Sequence, residues 1–232
     1  PPAAGDGGAE ELTAVREQLS ETLRLTTKLT PEDAPRVASP ARWPQTTIGE
    51  LARAGALSLH TAATTDGTGD HARVPVLTDH DVLTGAAPSG TRIAVSPNGS
   101  SVLLEAGDVV VPVVGGGAVV RVVDADTAGA ALGRGLALLR PDPAALDPWF
   151  LAGFLRGTAN NRQASSYAST ATRLDVRRLQ LPRLPLAEQA GYGARFRSLA
   201  AFEDALRRAG RLGEQLVQGL HDGLTDGTLA PE

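Results

Sequence analysis

Apolar positions recur along this chain with two different periods. Between Ala9 and Leu29, the positions Leu12, Val15, Leu19, Thr22, Thr26 and Leu29 are spaced alternately three and four residues apart. That spacing places them on one stripe of an α-helix, the pattern of a coiled-coil seam. Thr30-Pro31 predicts the stop, because the residue before a proline avoids the α region. Near the other end, Leu199, Phe202, Leu206, Ala209, Gly213, Leu216 and Leu220 repeat the rhythm and predict a second long helix from about Glu188 to Leu220. At ~1.5 Å per residue it would span roughly 50 Å. Two such stripes can bury each other as an antiparallel pair, which would bring together the ends of whatever lies between them.

The middle of the chain changes period. Short β-rich runs are predicted at Arg73–Leu77, Thr91–Val95, Val102–Leu104, Asp108–Val114, Ala118–Val123 and Leu136–Arg140. Asn98-Gly99 and Gly115-Gly116-Gly117 sit between such runs, where hairpin turns need positive φ. Thr47 to Leu59 reads as a short helix and turn. Asp147-Pro148 opens another helix, with aspartate as N-cap and proline in the first turn, running to about Leu155 and stopping near Gly157. The fold class expected is α+β, a β-rich domain with small helices flanked by the two long helices. The divisions are 1–8 disordered, 9–30 N-terminal helix, 43–180 globular domain, 181–187 proline-rich exit and 188–229 C-terminal helix.

Composition narrows this picture. Hydrophobic residues make up 42% of 232 residues, but aromatic residues only 3%, so the core must be built from valine, leucine and alanine. The absence of cysteine excludes a disulfide framework and a cysteine zinc site, and predicts a cytoplasmic location. The longest apolar run, Val109–Val114, is strand-sized, so no membrane partner is expected. The chain opens on Pro1 and holds no methionine, which is read as a piece of a longer protein. A net charge of -4 argues against a protein that coats nucleic acid indiscriminately. From residue 156 to residue 211, however, arginines outnumber acids and no lysine occurs. Arginine is the cation suited to bidentate contacts with phosphate and guanine.

Catalytic chemistry is not expected in this chain. His60, His71, His80 and His221 include no helical i, i+4 pair that would suit a metal. Gly115-Gly116-Gly117 lacks the following Lys-Ser/Thr of a phosphate loop. Asp79-His80-Asp81 reads as a loop or strand end with solvated polar groups. Ser165, Ser166 and Ser169 have no base nearby in sequence. No glycine-rich cofactor fingerprint is visible, nor the Asn/Asp-Pro-Pro-aromatic tetrapeptide of an amine methyltransferase. The stretch Asn160-Asn161-Arg162-Gln163 instead collects base-reading side chains, since asparagine and glutamine suit adenine and arginine suits guanine. With Ser165, Arg173, Arg177 and Arg178, and the loops at Asn98 and Gly116, it makes the expected nucleic-acid contact surface.

The stretch LPRLPLAEQAGYGARF, 181–196, carries the chain off the globular domain. Pro182 and Pro185 predict a stiff polyproline-like spacer, and Glu188 sits near the positive end of the helix that follows. This stretch resembles the segment that follows a target recognition domain in type I restriction-modification specificity subunits, with Pro182, Pro185, Leu186, Glu188, Gln189, Leu224 and Gly227 matching the pattern. Four stretches upstream resemble the same family in order: VPVLTDHDVLTG, LLEAGDVVVPVVGGGAVVRVV, LALLRPDPAALDPWFLAGFLRG and TATRLDVRRLQLPRLPL. Two departures stand out: one recognition domain where the family has two, and Pro-Leu-Ala-Glu-Gln where Pro-Pro-Leu is commoner.

The resemblance implies recognition of double-stranded DNA on behalf of an adenine-N6 methyltransferase. S-adenosylmethionine would be the cofactor of that partner or fused domain, not of this chain. The chain would be the C-terminal specificity region of a fused N-6 DNA methylase, or else a half-length specificity subunit acting as a homodimer through its long helices. A coiled-coil adaptor that binds proteins and no DNA is the reading from another class, and the acidic pI favours it.

Overall fold

The structure is a computed structural model that describes residues 6–36, 38–39, 42–62, 73–93, 102–114, 119–158, 160 and 174–231. It divides into two compact units. One comprises Val37–Arg197, and the other comprises Pro1–Arg36 with Ser198–Glu232.

The globular unit begins with β1 (Gln45–Thr47), α2 (Ile48–Arg53) and β2 (Leu57–Thr61), where α1 denotes the N-terminal helix Asp6–Lys28. It continues through β3 (Arg73–Leu77), α3 (Asp79–Thr84), β4 (Gly90–Ile93), β5 (Val109–Pro112), β6 (Arg121–Val122), β7 (Ala131–Leu132), β8 (Leu136–Pro141) and α4 (Pro148–Leu155). A 3-10 turn (Val176–Arg178), β9 (Gln180–Pro182) and the start of α5 (Leu186–Thr225) complete it.

Strands β2-β8-β5-β6 form an antiparallel sheet. Its central strands are buried on both faces, and the two-residue alternation of side chains sorts them into two cores. Val109, Val111, Ala137 and Leu139 pack with Ile48, Phe150, Leu151, Leu155 and Leu181. Val110, Leu136 and Leu138 pack on the opposite face with Leu77, Val82, Leu104 and Leu132. The second core lies beneath the sheet β4-β3-β7, in which β3 pairs antiparallel to β4 and parallel to β7. At Gly133 an added Cβ would overlap the Leu77 carbonyl, so glycine is what lets the chain beyond β7 close on β3.

Several expectations are revised. Thr47–Leu59 holds a strand, β2, as well as a helix. Among the described residues around Val102–Leu104 there is only a bridge, Leu103 to Ala131. Asn98-Gly99 lies outside the described residues, but the runs on either side of it pair elsewhere, β4 with β3 and Leu103 with Ala131. By contrast, β5 and β6, which flank the Gly115–Gly117 stretch, do pair with each other. Asp79-His80-Asp81 is neither loop nor strand end. Thr78 and Asp81 form a capping box that opens α3, and Asp81 is 1% exposed. The exit is no free spacer: β9 pairs with β1, Leu181 is buried, and the Arg183 amide donates to the Pro44 carbonyl.

The helical unit shows one stripe as predicted and one displaced. On α1, Val15, Thr22 and Thr26 are buried and Leu12, Leu19 and Leu29 half-buried, and the Thr22 and Thr26 hydroxyls donate to carbonyls one turn back. The helix begins at Asp6, three residues before the predicted Ala9, despite Gly7-Gly8. Gly8 and Ala9 join Leu12, Val15, Gly219 and Gly223 around a cavity of about 250 Å³, so the first turns of α1 meet the last turns of α5. That tertiary contact offsets the ~1 kcal/mol a helical glycine costs. On α5 the predicted Phe202, Ala209, Gly213, Leu216 and Leu220 are buried or half-buried, and Ala205, Leu212, Gly219 and Gly223 join them. The predicted Leu199 and Leu206 are 40% and 48% exposed. Leu12 of α1 fills the hole over one small residue: an added Cβ at Gly219 would overlap it.

Candidate nucleic-acid interface

Three polar residues in the stretches that carry the family resemblance, Asp81, Asp108 and Gln189, are buried, and most of their polar atoms are spent inside the protein. Asp108, from the Gly-Asp-Val stretch, is 1% exposed and accepts from Arg140 Nε and Nη2 at 2.8 Å each. Its Oδ2 also accepts the Glu105 amide at 2.7 Å. Arg140, from the Arg-Pro strand end, further donates to the Leu103 carbonyl and pairs with Glu105 at 2.6 Å. The hydrogen bonds to Asp108 raise the pKa of the guanidinium. This bidentate pair ties β8 to the turn that precedes β5.

Gln189 forms a second anchor. Its amide nitrogen donates to the Leu184 carbonyl at 2.9 Å and the Ala145 carbonyl at 3.3 Å, and its oxygen accepts the Asp147 amide at 3.0 Å. Asp147 in turn caps α4 by accepting from the Phe150 amide at 2.7 Å. Gln189 thus clamps the first turn of α5 to the start of α4, beside an aromatic cluster of Trp43, Phe150, Phe154, Tyr192 and Phe196. A side chain at Gly153 would overlap Phe196, so glycine permits this approach.

Asp81 is the third anchor. One carboxylate oxygen accepts the Thr78 and Ser89 amides at 2.8 and 3.0 Å, and the other is buried without a hydrogen bond. Burial acts to raise its pKa, but the backbone amides of Ser89 and Thr78 outweigh it and hold the carboxyl at about 2.

The residues expected to touch nucleic acid fall in three groups. Asn98, Gly116, Asn161, Arg162, Gln163, Ser165 and Arg173 lie outside the described residues. Asn160 is described and braces the fold. It is 8% exposed, its Nδ2 donates to the Phe154 and Gln180 carbonyls at 3.0 and 2.9 Å, and its Oδ1 accepts the Gln180 amide at 2.9 Å. With both amide hydrogens engaged, the bidentate pattern that reads adenine is not available to it. Arg177 and Arg178 are exposed on the 3-10 turn. Asp175 caps that turn through the Arg177 amide and pairs with Arg178 Nε at 3.1 Å.

The turn is firmly seated. Val176 is buried, the Leu174 amide donates to Val113, and the Ile48 amide donates to Leu179. Gly49 presses on it, with an added Cβ 3.2 Å from the Arg177 carbonyl. Arg53 of α2 donates from Nε to the Gly49 carbonyl and joins this surface. Sequence reasoning missed Arg53, which nothing local links to the turn. Residues 161–173 are therefore bracketed by fixed points, Asn160 on Gln180 at one end and Leu174 on Val113 at the other, with three arginines beside the second.

No family model and no curated protein matches this chain. Solved structures do. The S subunit of a type I restriction-modification system from M. genitalium is similar with a TM-score of 0.53 at 14% identity, covering 99% of this chain and 59% of that one. An HsdS subunit from Thermoanaerobacter tengcongensis is 18% identical, covering 98% of this chain and 56% of that one, with a TM-score of 0.48. A chain from a structural study of complex assembly and conformational transition in a type I R-M system is 18% identical, covering 95% and 59%, with a TM-score of 0.49. The fold is similar to that of the M. genitalium S subunit, and the chain spans somewhat under three fifths of the length of these solved chains. No helix among the described residues is long and apolar enough to cross a membrane.

Proposed function

We propose that this chain is a DNA target recognition module that directs an adenine-N6 methyltransferase to its site. The bracketed segment carries this reading. A stretch rich in base-reading side chains, Asn161, Arg162 and Gln163 with Ser165 and Arg173, runs between two hydrogen-bonded fixed points and leads into the exposed turn of Arg177 and Arg178. The likeness of fold to the S subunit from M. genitalium supports it. Arginines on the turn and Arg53 suit phosphate contacts that set position, while the segment itself suits base contacts that set sequence. Loops at Asn98 and Gly116 would extend the surface.

Methyl transfer belongs to a separate catalytic domain that holds S-adenosylmethionine and takes the adenine out of the stack. The arrangement favoured is a module fused C-terminally to an N-6 DNA methylase. A half-length specificity subunit working as a homodimer is the alternative. Selection of duplexes from a random pool by the full chain tests the proposal. Enrichment of one sequence, lost in Arg162→Ala, is expected. Absence of enrichment leaves the protein-binding adaptor as the reading.

A further inference from the structure

The turn that carries Arg177 and Arg178 also carries an acid whose charge the fold does not require. Asp175 caps the turn, its Oδ1 accepting the Arg177 amide at 3.2 Å. Asparagine or serine caps as well as aspartate, without a charge that repels phosphate. Its Oδ2 pairs with Arg178 Nε at 3.1 Å, and the two side chains are 55% and 62% exposed. A pair as exposed as this adds little to stability. The negative charge of Asp175 is therefore surplus both to the cap and to the fold.

What the charge does is hold Arg178. Asp175 is itself pinned, since the Leu174 amide before it donates to the Val113 carbonyl and Val176 after it is buried. A carboxylate fixed in this way is a firm base for a long side chain that would otherwise sample many rotamers. Arg53 on the same surface is held alike: its Nε donates to the Gly49 carbonyl at 3.3 Å, and Gly49 abuts the Arg177 carbonyl. Two arginines are thus each tied through Nε to acceptors on rigid elements. We infer that Asp175 is a positioning residue, which strengthens binding to DNA by holding Arg178 in place before a phosphate arrives. Ordering a rotamer-rich side chain on binding costs affinity, and an arginine ordered beforehand avoids part of that cost. A count of charges gives the opposite sign, because removing an acid beside phosphates would by itself tighten binding.

The inference rests on the proposed recognition of DNA, and binding of the full chain to a selected duplex and its scrambled counterpart separates the two. Preference of the wild-type chain for the selected duplex tests recognition. The effect of Asp175→Asn is read on both duplexes, since a phosphate contact carries no sequence. Asp175→Asn keeps the cap and makes the chain more positive by one charge, yet it should weaken binding to both duplexes about three- to tenfold. Asp175→Ser, which also caps, should match it, with the melting temperature unchanged in each. In an Arg178→Ala background Asp175→Asn should no longer weaken binding, a coupling that a merely structural role would not produce. Binding of Asp175→Asn and Asp175→Ser as tight as wild type or tighter overturns the inference, and so does an equal loss in the Arg178→Ala background. Either result, with the preference for the selected duplex intact, leaves recognition standing. A chain that binds neither duplex overturns both.

Discussion

Two sets of polar residues in the globular unit behave in opposite ways. Asp81, Asp108, Asn160 and Gln189 are nearly sealed from solvent, and each holds backbone or an opposite charge. Arg53, Arg177 and Arg178 stand exposed on a turn and the helix beneath it, supported by backbone contacts. The buried set contains residues that make the chain resemble a known family. The exposed set, together with the segment it borders, is where a polyanion would be met. In this chain the resemblance falls partly on the buried frame, while the proposed reading side chains lie in the segment between its fixed points. This division predicts that the two sets fail differently when mutated: the buried set through folding, the exposed set through binding alone.

The largest effect is expected at the ion pair. Asp108→Ala leaves the Arg140 guanidinium, 28% exposed, without its bidentate partner. Breaking one side of such a pair costs about 3–5 kcal/mol. Urea denaturation should show that loss in full, and a change below 1 kcal/mol would remove Asp108 from the frame. Gln189→Ala follows. It strips partners from the Leu184 and Ala145 carbonyls and the Asp147 amide, at about 1–3 kcal/mol in all, because water re-satisfies part of the loss. Hydrogen exchange should localise the weakening to α4 and the first turns of α5.

Asp81 sharpens the comparison through pH. Its folded pKa of about 2 lies below the ordinary 3.8, so folding favours the ionised form. The stabilisation is fully present above pH ~4 and is lost as pH falls from there through 2. It amounts to about 2 kcal/mol. Asp81→Asn should flatten that part of the stability–pH curve, and an unchanged slope between pH 4 and 2 would contradict the assignment. The smallest effect on folding is expected at Arg177. Arg177→Ala should leave stability within about 0.5 kcal/mol. It should weaken binding to all duplexes alike and reduce the salt slope by about one.

Much of this frame was legible in the sequence, for reasons that differ by element. The stripe on α1 could be read because its alternation of three and four is unbroken from Leu12 to Leu29, threonines included. The stripe on α5 was displaced because Ala205 and Leu206 both lie near the face that begins at Phe202, and leucine looks the better candidate by size. Leu12 needs a hole, however, so Gly219 turns inward, and Ala205 and Ala209 are buried where Leu206 is exposed. The run Val109–Pro112 announced a strand, but not that successive residues would serve two cores. Strands β1, β7 and β9 are two or three residues long and carry no period of their own. The pairing of Asp108 with Arg140, or of Gln189 with Asp147, is fixed by the fold across long stretches of chain, with no local signal to announce it. Asn160 has the chemistry of an adenine reader, and nothing in the polar stretch around it signals its burial.

The central claim is that this frame presents a DNA-reading surface. Binding of the full chain to a duplex selected from a random pool, and to its scrambled counterpart, across a salt series tests it most directly. The account predicts tighter binding to the selected duplex at every salt concentration. Arg162→Ala should narrow the gap by ~1–3 kcal/mol, and Arg177→Ala should lower both curves together. Equal affinity for selected and scrambled duplexes, with wild-type binding in both variants, would contradict it.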